Sequence, residues 1–216
     1  MLDLSALVGA LAVVVVVVFM GWFALGTQRN IRLGNDVLRW LQDGLPLLGR
    51  RTTMRWLGSS AVELRIADAA EPFREATVLV VLEPRDIGFL WVWARLRGRR
   101  DFVIIRADLR SAPRVGVDAW DPEGWTGRPS PEGADWEPVE WSIAGVEARA
   151  SAGSDPAPVR TAWQALRSVT PAVWRISVQP VVPHLEVHLR APNRDVPARR
   201  LLEPLRDLGR ALAERR

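Results

Sequence analysis

The 216-residue chain carries 29 arginines and 25 acids, for a net charge of +4, and has no lysine, tyrosine or cysteine. Without cysteine there are no disulfides, thiolate metal sites or cysteine nucleophiles, and without lysine there is no Schiff-base chemistry. Apolar residues make up 48%, enough for a folded domain with a core rather than a disordered chain.

The opening run, Leu4 to Gly26, is 23 residues without a charge. As a helix at 1.5 Å per residue it is ~34 Å long, enough to cross a ~30 Å hydrocarbon layer. Six consecutive valines, Val13 to Val18, favour a strand in water. In lipid the backbone must satisfy its own hydrogen bonds, so a helix is expected there. A cleaved signal peptide has a basic start, whereas the only charge before this run is Asp3; Ala24-Leu25-Gly26 is the one stretch resembling a cleavage site. Arg29, Arg32, Arg39, Arg50 and Arg51 follow the run. By the positive-inside rule they predict an uncleaved signal-anchor with its N-terminus outside and the rest cytoplasmic. Trp22 and Phe23 are expected at the inner membrane interface.

Residues 1–28 are thus read as a transmembrane anchor, 29–50 as a juxtamembrane amphipathic segment and 51–216 as a cytoplasmic domain. In the second segment Asn35-Asp36 starts a short helix and Gly44 stops it. Its apolar residues, with Trp40 among them, lie either on the lipid surface or on the domain below.

Two strands are expected around Gly58-Ser59, since Val62, Leu64 and Ile66 alternate with polar residues. Ala76 to Glu83 is continuously apolar up to its last residue and predicts a central strand. Pro84 to Gly98 predicts a helix from its ends, followed by a strand over Phe102–Leu109, together a β-α-β unit. Residues 111–140 are rich in proline, glycine and acids, with Trp120, Trp125 and Trp136 among them, and predict a long loop. Trp141–Ala150 reads as a strand or hairpin. A helix entered at Ser154-Asp155-Pro156 ends before Pro171. Two alternating strands follow around Trp174–Val178 and Leu185–Leu189. A last helix spans about 198–214, with Pro204 kinking it or marking its start. The fold class predicted is α+β: one transmembrane helix, then a mixed or antiparallel sheet with helices packed on one face.

Charge is unevenly spread. Residues 29–114 hold 16 arginines against 10 acids, residues 115–159 hold 2 against 9, and residues 160–216 hold 11 against 5. An acidic middle therefore separates two basic parts.

Three constellations could carry chemistry. His184, Glu186 and His188 share one face of a strand, and a tight hairpin sets Gln179, Ser177 and Arg175 opposite them. Such a face either holds a metal such as zinc, as part of a membrane-tethered enzyme or metal site, or is the solvated side of an amphipathic hairpin. Arg95, Arg97, Arg99 and Arg100 either meet anionic lipid headgroups or form a solvated helix end. The acidic tryptophan loop either binds a protein or folds back on the basic domain. No nucleotide-binding, hydrolase or zinc-protease motif occurs, no cofactor is expected, and no nucleic-acid-binding motif accompanies the arginines. The expectation is a single-pass protein of the cell membrane with a non-catalytic scaffold or adaptor domain. Its partners would be the lipid bilayer, a protein and, through the arginines, anionic lipids.

Overall fold

The computed structural model describes residues 4–192 and 194–214. The first three residues of the expected anchor, together with Asn193 and the last two residues of the expected domain, lie outside them. The first element, α1, is a single helix from Leu4 to Gln42. It is long and apolar enough to cross a membrane by length and composition. From Leu7 to Leu25 its large side chains are exposed. From Asn30 onward it enters the domain: Val37, Leu38 and Leu41 are buried in the core, and Asn30 is fully buried.

The separate helix expected to start at Asn35 is therefore corrected: that stretch is the end of α1. Helix propagation costs little once the first turn has formed, and nothing between Gly26 and Asn35 stops it. Residues 29–42 pack on the domain rather than lying free for a lipid surface. Trp40 goes with them: its Nε1 donates to the Val196 carbonyl at 2.6 Å, and its ring packs against the core.

After a short 3-10 turn at Leu45–Leu47, nine strands among the described residues form one sheet. They are β1 (Gly49–Trp56), β2 (Ala61–Ala69), β3 (Phe73–Val81), β4 (Phe102–Leu109), β5 (Val117–Trp120), β6 (Glu137–Pro138), β7 (Glu147–Ala150), β8 (Val173–Val178) and β9 (Leu185–Arg190). Their spatial order is β1-β2-β3-β4-β9-β8-β5-β7-β6, and every pair is antiparallel. The helices between them are α2 (Gly88–Leu96) and α3 (Ala157–Arg167), and α4 (Arg199–Glu214) follows β9. The architecture is α+β, with a long apolar N-terminal helix.

The period-2 pattern builds one shared core. Val62, Leu64 and Ile66 of β2 are buried with Ala76, Val78 and Val80 of β3 and with Val103, Ile105 and Ala107 of β4. The row continues through Leu185, Val187 and Leu189 of β9 and through Ile176 and Val178 of β8. Trp163 and Leu166 of α3, Leu201, Leu205 and Leu208 of α4, and the last turns of α1 complete the same cluster.

Two further expectations are corrected, and one of two alternatives is removed. The strands flanking α2 do not form a parallel β-α-β unit, because β3 and β4 are hydrogen-bonded antiparallel neighbours. The connection returns at the same end of the sheet, so α2 sits at the strand ends instead of crossing a face. Residues 111–140 are not all loop. Val117–Trp120 forms β5, every residue of it buried, and Glu137-Pro138 pairs with β7. Pro204 lies inside α4 and does not start it.

Candidate functional site

The β8–β9 hairpin has the register read from sequence. Arg175 faces His188 and Ser177 faces Glu186, while the Gln179 amide donates to the His184 carbonyl at 3.0 Å. The three candidate ligands nevertheless do not converge on one point. At about 3.3 Å per residue, the α-carbons of His184 and His188 stand about 13 Å apart. The His184 Nδ1 accepts the Leu109 N–H at 2.9 Å, at the far end of β4. Among the described residues no group of three His, Asp or Glu side chains is placed to hold a metal ion.

Glu186 instead centres an ion-pair network on the sheet face opposite the core. Arg106 Nε donates to its Oε2 at 2.6 Å and Arg175 Nη1 to its Oε1 at 3.4 Å. The His188 Nε2–H donates to Oε1 at 2.9 Å; a carboxylate accepts only, which fixes the tautomer. Arg175 also donates through Nε to Asp118 Oδ1 at 3.1 Å. Asp118, 1% exposed, receives the Ser130 amide at 2.5 Å. Burial alone raises the Glu186 pKa, but the hydrogen bonds from His188 and Arg106 outweigh it and hold the carboxyl at about 2. Burial pushes the His184 imidazole below its ordinary value. The Leu109 N–H requires Nδ1 to stay unprotonated, which acts in the same direction.

The acidic tryptophan segment folds over this end of the sheet. Gly124 lies against Trp174, whose ring meets Phe102 at 5.7 Å. Trp136 sits between Gly116 and Gly133, and Trp141 meets Trp163 edge-on at 6.4 Å. Trp120, Trp125, Trp136 and Trp141 are all buried or half-buried. They serve the domain's own packing more than an outside surface.

A second cluster joins α1 to α2, and sequence reasoning missed it. Glu83, 2% exposed, accepts the Trp91 Nε1–H at 2.6 Å and Arg95 Nη1 at 3.2 Å. Arg85 makes a two-pronged pair with Asp101 at 2.9 and 3.0 Å and donates to Asn30 Oδ1 at 3.3 Å. Asn30 Nδ2 closes the ring by donating to the Glu83 carbonyl at 3.1 Å. Higher on α1, Trp22 Nε1 donates to the Arg85 carbonyl at 3.0 Å, and Gly26 abuts the Arg85–Asp86 backbone. The one available signal was a glutamate ending an otherwise apolar central strand.

Each of the four candidate arginines has a partner within the domain. Arg95 is committed to Glu83, and Arg99 Nη2 donates to the Leu82 carbonyl at 3.3 Å. Arg100 donates to the Arg95 and Arg99 carbonyls at 3.0 and 2.7 Å. Arg97 stacks on the Trp93 ring at 4.4 Å. Gly98, at φ +83°, ends α2 as its sequence predicts: the Arg99 amide reaches back to the Ala94 carbonyl at 3.0 Å. Trp22 and Phe23 are part-exposed on α1, Trp22 at the foot of α2. No family model and no curated protein matches the chain.

Proposed function

We propose that this is a single-pass membrane protein whose α+β domain is held at the cytoplasmic face and works non-catalytically, as a scaffold or assembly partner. The observation that carries the reading is the continuity of α1. One helix runs from an exposed apolar segment into the core at Val37, Leu38 and Leu41. Such a helix ties the domain to the bilayer as a rigid stalk rather than by a flexible linker. The arginines after Gly26 support the cytoplasmic orientation. The buried Glu83 and Asp118 and the half-buried Glu186 are each spent on arginines of the same chain, which is the chemistry of a fold-holding network. The outer edge of β1 is exposed from Arg50 to Arg55 and offers unpaired main-chain groups that a partner strand would use.

Two experiments test this. In inside-out vesicles a C-terminal tag should be digested by added protease, and a protected tag refutes the orientation. Extraction in mild detergent should recover a stoichiometric protein partner, and a clean monomer refutes the assembly role.

A further inference from the structure

We propose that α2 is a second membrane contact. It is an interfacial helix whose Phe89, Val92, Trp93 and Leu96 seat in the headgroup–acyl boundary of the leaflet from which α1 emerges. This rests on the reading of α1 as a membrane anchor.

The four residues are spaced i, i+3, i+4 and i+7 and so form one stripe. They are 76%, 49%, 48% and 82% exposed, an unusual display of large apolar side chains for a nine-residue helix. The stripe cannot roll inward. The opposite side of α2 is pinned through Trp91 and Arg95 to the buried Glu83, and Ala94 is itself buried.

The occupant follows from where the stripe lies. Trp22 belongs to the apolar run of α1, four residues before its last member. Its indole packs against Gly88 and stands 6.4 Å from Trp91. Trp22, Gly88, Phe89, Val92, Trp93 and Leu96 line one continuous, open apolar surface. The stripe is therefore an extension of the lipid-facing surface of α1, and the medium that covers one covers the other. The β1–β2 hairpin reaches the same level: Ser59 Oγ donates to Asp86 Oδ2 at 2.5 Å beside Gly26, and Leu57 next to it is exposed. Charge and ring chemistry fit a lipid surface as well. Arg97 lies over Trp93 at 4.4 Å, an apolar body with a cationic tip of the kind found at membrane interfaces.

The absence of native cysteine makes the test direct. Single substitutions Phe89→Cys, Val92→Cys and Leu96→Cys are spin-labelled in the full chain, which is reconstituted into vesicles of zwitterionic and anionic phospholipid. Collision with oxygen, enriched in the bilayer, is compared with collision with a water-soluble nickel chelate. Val16→Cys within α1 and the exposed Gln164→Cys on α3 serve as references. The expected result is an oxygen-to-nickel ratio at all three stripe positions severalfold above that of Gln164→Cys and shifted toward that of Val16→Cys. Stripe labels that behave like Gln164→Cys, while Val16→Cys reports lipid, overturn this proposal and leave the anchor standing. Stripe labels shielded from both agents mean that protein covers the stripe, which also overturns it. A Val16→Cys label that reports water overturns the anchor reading itself.

Discussion

Glu186 shows at the residue scale how one carboxylate can be held charged inside a fold. Three donors converge on it, and its pKa falls from 4.5 to about 2 despite burial. A folded-state pKa below the unfolded one adds stability that is complete above pH 4.5 and is lost as pH falls through about 2. Urea titrations from pH 7 to pH 2 should show this loss in the wild type. Glu186→Gln should be less stable at neutral pH and flatter across that window; parallel profiles would show that Glu186 is not the group responsible. His184 has the same sign at higher pH. Its imidazole is held neutral below 6.5, so its contribution is full above pH 6.5 and fades as pH drops beneath it. His184→Gln should remove that portion of the slope, read in the same titrations. Sequence placed Glu186 and His188 on one strand, because that depends only on period 2, but put His184 in it too, whereas β9 starts at Leu185. It missed that Leu109, 75 positions away, claims Nδ1 of His184.

Among the elements, α2 and α1 depend on close approach. A methyl group on Gly26 would run into the Arg85 carbonyl and the Asp86 backbone, whereas one on Gly21 would meet nothing. Gly26→Ala should therefore lower stability by about 1–3 kcal/mol, the usual cost of overpacking against backbone. Thermal unfolding in detergent measures it, with Gly21→Ala as the unchanged control. Only the C-terminal end of α2 was legible: Gly98 caps it as expected, but its first turn begins at Gly88 rather than at Pro84. Its setting was not legible. A helix between two strands reads as a crossover, but the antiparallel pairing of β3 and β4 leaves α2 at the strand ends with its apolar stripe outward. The arginines at its C-terminus then serve mainly as caps and ion-pair partners for groups brought near by that turn.

For the whole molecule, the consequence is that α1 is both a membrane-length helix and part of the domain core. A chain beginning at Arg29 should fold in water with nearly full domain stability. One beginning at Asp43 loses the burial of Val37, Leu38 and Leu41, about 5–9 kcal/mol at 1.5–3 kcal/mol for each side chain. That is comparable to the total stability of a small domain, so urea unfolding should show a greatly lowered midpoint or no cooperative transition. Equal midpoints would mean that the last turns of α1 contribute nothing. The sequence by itself determined the apolar run, the strand periodicities, the β8–β9 register and the capping of α2, since each depends on residues a few positions apart. Tertiary structure alone decided that α1 runs on into the core and that β5 inserts into the sheet from within the acidic segment. It also decided that His184 and His188 serve different neighbours, and that α2 is left facing outward. Those outcomes depend on which faces meet across tens to more than a hundred residues. Such meetings are set by competition for one shared core, which no local pattern encodes.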